Sequence, residues 1–339
     1  MIGLLLMVLV LPWITMLKVT TDSETAAILE TPYWVWVCGM GVLGAWLLAK
    51  QDRWLGLLLG YLSLRLFPQE VPWAFEVLIV TLFGAGMLWV VRTSPMPWWT
   101  PAVLVTLGCT EVGYVGLQTL GYDPIAFWPY WSFHGTNLYP TGTLGNPNYT
   151  GAFLAILTPL ANAWLAPVLL GGILLTKSVT GFLAALIGIC IRWRAFSWKV
   201  WGLCAIAFAL WLPFHGESFR VRAVVWWAML NQIDGTLHWL FGHGLGSWAA
   251  KEMLTLHYRK VGESFVQAHN DYLQLLYEAG LVGLGLALYW VWRHRRMFAH
   301  PVYGGSVAAL AVTTLTMFPF HLAVLGVTGI LLMGLSLQE

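Results

Sequence analysis

The chain has 339 residues, 59% of them hydrophobic and only 9% charged, with a mean hydropathy of +0.72. A soluble domain carries about 25% charged residues, so this composition points away from the soluble classes and toward an integral membrane protein. The net charge of +2 gives no reason to expect a nucleic-acid partner; in a membrane protein the informative quantity is where the charges fall.

A membrane span needs about 20 mostly apolar residues, fewer where polar residues line a cavity. In chain order the apolar runs predict about twelve spans, at roughly 2–17, 32–49, 54–68, 71–91, 99–119, 148–163, 165–177, 179–191, 199–214, 271–292, 302–319 and 322–338. The first run lacks a preceding basic region and a small-residue cleavage site, and reads as a span rather than a removed signal peptide. Two long connections remain, 120–147 and 215–268. With no internal repeat and no soluble segment, residues 1–339 read as one polytopic membrane domain. The 22 tryptophans suit a chain with much membrane–water interface. Cys38, Cys109, Cys190 and Cys204 lie in apolar runs without pairing or ligand spacing and read as small buried hydrophobes.

Short loops carry Lys50 and Arg53, Arg92, then Arg192, Arg194 and Lys199, then Arg293, Arg295 and Arg296. With both termini inside, twelve spans put all nine on the cytoplasmic side, as the positive-inside rule requires. Both long connections and the start of the 271–292 span then share the outer face. Lys177, Arg220, Arg222, Lys251, Arg259 and Lys260 also fall there, against the trend. The last three suit a long translocated loop. Arg220 and Arg222 open a Trp-rich segment, "ESFRVRAVVWWAMLNQI", expected to lie along the interface as an amphipathic helix. There they either anchor lipid phosphate or hold an anionic headgroup in bidentate fashion.

The span at 271 opens with polar residues, "QAHNDYLQLLYEAG". Asn270, Gln274, Tyr277 and Glu278 form one stripe at helical spacing, and polar groups in a span face protein, water or substrate rather than lipid. His269 stands at the helix entrance, where the positive end of the helix dipole disfavours imidazolium. A neutral imidazole can accept a proton, and the same N–H groups suit a phosphate. The plainer reading is that His269 caps the helix and Glu278 pairs with another span. A second cluster, "PTGTLGNPNYTGAFL" at 140–154, makes a tight turn in which Asn146 and Asn148 can bond backbone or ligand, with Asn148 expected to cap the helix beginning near Tyr149. A third, "LFGHGLGSW" at 240–248, follows no strand and reads as a glycine-rich surface turn containing Gly242 and Gly244. His238, His243, His257 and His269 match no compact ligand spacing, so no metal and no cofactor is expected. Arg65, Glu76 and Glu111 lie within spans and either pair with one another or line a cavity.

In order, "GTLGNPN", "RAVVW", "LFGHGLGSW" and "HNDYLQLLYEAGLVGL" resemble the O-antigen ligase/polymerase superfamily, which includes the pilin O-oligosaccharyltransferases. The resemblance covers roughly residues 140–290. It implies an all-α membrane glycosyltransferase of the lipid-linked-donor type in the bacterial cytoplasmic (inner) membrane, its site facing outward beneath the 215–268 loop. The donor it implies is a glycan on undecaprenyl diphosphate; the acceptor is a sugar hydroxyl of a growing glycan or lipid A–core, or a protein hydroxyl. His269 takes the position of the base. Arg222, four residues before Trp226, takes the arginine of the "R-x-x-x-W" pattern, with Arg220 beside it. Asn146, Asn148, Gly242, Gly244 and Asn270 would shape the site. Where family members often carry Ser-Arg at the start of a middle span, this chain reads "TKSVTGFLAAL", with Val179 in the arginine's place and Lys177 offered as the substitute charge. A transporter or flippase for a lipid-linked glycan is the rival class. Transporters often show paired repeats and helices broken near the midplane; no repeat is visible here, and the polar residues cluster at one face instead.

Overall fold

The structure, a computed structural model, describes residues 46, 49–65, 71–123, 140–194, 220–250 and 267–338. The expected spans 2–17 and 199–214, most of 32–49, and Lys251, His257, Arg259 and Lys260 lie outside the described residues. Within them the chain is all-helical and contains no strand.

The helices are α1 (Arg53–Leu64), α2 (Val71–Thr93), α3 (Thr100–Thr119), α4 (Pro147–Leu157), α5 (Ala166–Thr176), α6 (Val179–Arg192), α7 (220–231), α8 (Gly235–Phe241), α9 (Ser247–Ala250), α10 (Asp271–Arg293), α11 (Gly304–Thr313) and α12 (Ala323–Ser336). Among the described residues two helices, α3 and α10, are long and apolar enough to cross a membrane.

At the centre is α4, whose residues from Thr150 to Leu157 are all buried. A helix apolar on every side has no solvent face to present, and α4 is enclosed by α3, α5, α6 and α11. Its contact with α6 is backbone to backbone. A Cβ on Gly181 would overlap the main chain of Gly151, and one on Gly151 would overlap Ser178. Small residues permit such close approach.

Several expected spans are interrupted. The 148–163 run leaves the α-helix at Leu157 for a 3-10 turn, Thr158–Leu160, containing Pro159. Over 302–319 the helix stops at Thr313. The Thr313 and Thr314 hydroxyls donate to the carbonyls of Leu310 and Ala311, each at 2.7 Å, a local alternative to helical bonding, and a 3-10 turn follows at Pro319–His321. The pair 165–177 and 179–191 is two separate helices, broken where Lys177 adopts a left-handed backbone (φ 56°) and Ser178 caps α6.

One end of the fold gathers basic turns around Asp52. Its carboxylate caps α1 through the main-chain N–H groups of Trp54 and Leu55, both at 3.2 Å. It accepts from the Trp290 indole at 3.1 Å and lies 3.2 Å from His294 Nε2 and 4.0 Å from Arg92 Nη1. Burial pushes this carboxyl up, but the hydrogen bonds from His294, the Leu55 main chain and Trp290 prevail and bring it down to about 2. The turns after α2 and α10 and before α1 therefore meet at one end of α10. That helix has 23 residues, about 34 Å at 1.5 Å per residue, and its other end carries the polar clusters.

Candidate functional site

The polar stripe of α10 touches protein. Asn270 is the N-cap, its side chain accepting from Leu273 N at 3.0 Å; His269 does not cap. Gln274 accepts from Ala268 N at 3.1 Å and donates to Gln267 at 2.8 Å and Glu278 at 3.3 Å. Glu278, expected to pair with another span, instead accepts main-chain N–H bonds from Gly246 and Trp248.

The glycine-rich segment is a buried junction rather than a surface turn. His243 N and Gly244 N donate to the carbonyls of Tyr277 and Glu278 at 2.8 and 2.9 Å. Gly242 has φ 73° and Gly280, inside α10, has φ 69°. A Cβ on Gly242 would overlap the Glu278 main chain, and one on Gly280 would overlap Leu240. Two backbones in contact thus require glycine on both sides, and α10 bends at Gly280 to accept the segment. Arg65, just beyond the end of α1, secures it by donating to Gly242 O at 2.8 Å. Gly242 and Gly244 therefore act by seating the segment on α10.

The "GTLGNPN" turn is held comparably. Glu111 accepts from Thr143 N at 2.7 Å and from the Thr143 hydroxyl at 2.8 Å. Asn146, not Asn148, caps α4. Pro147 occupies the first helical position, where its missing N–H costs nothing, and Asn148 N donates to Asn146 Oδ1 at 2.8 Å.

Where these elements converge, Arg222 meets His269. On α7 the buried residues Arg222, Val225 and Met229 share a face. One turn beyond Arg222, the Trp226 indole donates to Ala268 O at 2.9 Å, tying α7 to the residue before His269. His269 has a left-handed backbone (φ 54°), which costs a non-glycine residue roughly 1–2 kcal/mol and persists only where surroundings enforce it. Its ring stands edge-on to Phe318 at 4.8 Å, and Phe318 stands edge-on to Tyr149 at 5.6 Å. Burial first, and then the positive charge of Arg222, push the imidazole down to about 3, leaving it neutral.

Arg222 is only 8% exposed. Among the described residues no carboxylate pairs with it. Burial lowers its pKa, opposed by the charge of Tyr149. An uncompensated buried charge costs several kcal/mol, and an arginine fork is shaped for phosphate or carboxylate.

The other expected anion ligands are placed differently. Arg220, at the start of α7, and Lys177, beyond the end of α5, are both exposed, so neither shares Arg222's burial. Sequence reading missed three residues. Tyr149 lies inside the quoted turn motif, beside Asn148, and that adjacency was the available signal. Asp271 and His321 come close across 50 positions, with His321 Nε2 3.7 Å from Asp271 Oδ1, and no spacing announces them. Burial pushes His321 down to about 4.

A second cluster also escaped the spacing test. Asp234, His238 and His243 bring ligand-type atoms within 4.8 Å of one another. Asp234 Oδ1 lies 2.8 Å from His238 Nδ1 and 3.4 Å from His243 Nε2. The two imidazoles are stacked at 4.2 Å and 15°. The carboxylate oxygen already bridges them, and His243 stacks in turn on Tyr277 at 4.4 Å. In this arrangement the cluster fastens α8 to α10.

Compared with protein-family models and with curated proteins, the chain finds no match.

Proposed function

We propose that this chain is an integral membrane glycosyltransferase that moves a glycan from undecaprenyl diphosphate to an acceptor hydroxyl on the outer face of the bacterial inner membrane. The observation that carries the reading is Arg222: a buried guanidinium with no carboxylate partner among the described residues, set beside a neutral imidazole at the mouth of a helix. The membrane setting, with about twelve spans, is supported by composition. Bulky apolar side chains left exposed also support it, among them Trp98 at 90%, Trp164 at 85% and Leu120 at 83%. The gathering of basic turns at the far end of α10 supports an outward-facing site.

In this reading Arg222 holds the diphosphate and stabilises the charge that grows on it as the sugar departs. The acceptor oxygen forms its bond to the anomeric carbon as the carbon–oxygen bond to phosphate breaks, inverting that centre, and undecaprenyl diphosphate leaves. His269 takes the hydroxyl proton. Phe318 stands edge-on beside the His269 ring, with Tyr149 edge-on to Phe318. The acceptor is a glycan, lipid A–core or a protein hydroxyl. The chemistry assigned to these residues calls for no metal or cofactor.

The test is purified protein in vesicles with an undecaprenyl-diphosphate glycan and separate acceptors of the three kinds. A new glycosidic bond formed by wild type and lost in Arg222→Gln supports the reading. Donor crossing the bilayer with no new bond identifies a transporter instead.

A further inference from the structure

We propose that Asp234, His238 and His243 are the ligands of one divalent cation, Zn²⁺ by their chemistry, and that this cation staples the short helix α8 to the segment seated on α10. The inference goes beyond glycan transfer and does not depend on it. It starts from a weakness in the fold. Helix α8 has seven residues and none of them is buried. A helix that short is marginal by itself, and one without a buried face gains little from packing. Asp234 stands at its N-cap, where a carboxylate ordinarily accepts from the first N–H groups, yet its side chain makes no capping bond. It is turned to the two histidines instead. His238 Nδ1 lies 2.7 Å from the Asp234 carbonyl oxygen and 2.8 Å from Oδ1, and His243 Nε2 lies 3.4 Å from the same Oδ1.

The three residues come together for local reasons. His238 is one helical turn beyond Asp234. His243 is returned to it by Gly242, whose positive φ of 73° reverses the chain at the end of α8. His243 is also held in place: its main-chain N–H donates to Tyr277 O at 2.8 Å, and its ring stacks on Tyr277 at 4.4 Å. Its side chain is 6% exposed, against 81% for Asp234 and 45% for His238. One ligand is therefore fixed and two can adjust.

The ligand-type atoms of the three all lie within 4.8 Å of one another. Two imidazoles and a carboxylate suit Zn²⁺, whereas Mg²⁺ and Ca²⁺ take oxygen ligands. Bonds of about 2.0–2.1 Å in a tetrahedron set ligand atoms roughly 3.3 Å apart, and the Asp234–His243 separation already has that value. His238 has to turn out of its stack on His243 to aim Nδ1 at the ion, and its half-exposed side chain leaves room for the turn. On binding, the Nδ1 proton passes to solvent and the lone pair goes to the cation; water fills the fourth position. Three protein ligands are one short of a closed set, so the cation exchanges with its surroundings, and α8 is held more firmly while it is bound.

The experiment uses the full chain, purified through a tag without histidine, stripped with chelator and titrated with Zn²⁺ alone. Calorimetry should show one equivalent bound, and amide exchange over 235–241 should slow as Zn²⁺ is added, with Mg²⁺ giving neither effect. Asp234→Asn and His238→Gln alter exposed side chains, so both variants should fold, which their melting curves before Zn²⁺ addition verify. Each should weaken Zn²⁺ binding by more than about 100-fold, beyond the 10–100-fold cost of disturbing groups behind the ligands, and lose the protection of α8. Failure of the wild type to bind Zn²⁺ overturns the site. Binding that both variants keep at wild-type affinity places the ion on other residues and overturns it equally. Zn²⁺ bound through these ligands with exchange over 235–241 unchanged overturns the staple.

Discussion

The indole N–H of Trp226 donates to the carbonyl of Ala268 at 2.9 Å, and this bond ties the helix that carries Arg222 to the residue before His269. Trp226→Phe keeps the ring and removes the donor. Loss of one such bond costs about 1 kcal/mol, so the protein should still fold, with a slightly lower melting temperature. Transfer should fall by considerably more than that small change in stability explains, because Arg222 is no longer held in register. Parallel melting and transfer assays check this.

His269 is predicted to be essential for turnover. His269→Asn suits the left-handed backbone better than most substitutions and cannot take the proton; His269→Gln is the second control. Both should lower transfer by about 10²–10⁴-fold while pyrophosphate binding persists. Near-normal turnover in His269→Gln would remove the imidazole from the chemistry.

Arg222→Lys should damage transfer far more than Arg220→Lys. In the proposed function the buried residue meets the donor as a planar fork, and lysine offers a point charge. The exposed one meets solvent or lipid phosphate. Rates for the two variants, measured side by side, decide it; equal and mild losses would make Arg222 an anchor.

Acid stability should report on Asp52. Its folded pKa lies below the ordinary carboxylate value, at about 2. Its contribution to stability is therefore complete above the ordinary value of 3.8 and is lost as pH falls toward 2. Asp52→Asn should lower the melting temperature at neutral pH and flatten its fall between pH 4 and 2. Melting curves across that window test both.

Gly280→Ala and Gly242→Ala should each sharply reduce the yield of folded protein, since either methyl would overlap main chain rather than a movable side chain. Gly60→Ala, on α1 with open space around it, should be tolerated. Expression and size-exclusion profiles of the three variants make the comparison.

What could be read from the sequence depended on distance along the chain. The four-residue step from Arg222 to Trp226 is one helical turn, so their shared face was visible, as was the polar stripe from Asn270 to Glu278. Local competition was harder to judge. Asn146 and Asn148 are equally good caps by composition, and only the proline between them, at the first helical position, decides for Asn146. The end of α11 at Thr313 turns on two hydroxyls choosing nearby carbonyls, which an apolar run does not reveal. Long-range pairs were beyond reach: Asp271 with His321, Asp234 with His243, and Arg65 with the Gly242 carbonyl join positions whose proximity exists only once the helices pack. The glycines of 240–248 read as a surface turn, but they serve close contact.

Arg222, buried and with no carboxylate partner among the described residues, has a consequence for the cell. Whatever binds the folded chain and not the unfolded one shifts the balance between them. In the proposed function, an anionic lipid that settles on this arginine would act as a folding aid as well as a reactant. A strain unable to assemble lipid-linked glycan should accumulate less of this protein from the same message, its empty copies cleared by membrane proteases. Supply of the donor would then set how much transferase the envelope retains, with no regulator in between.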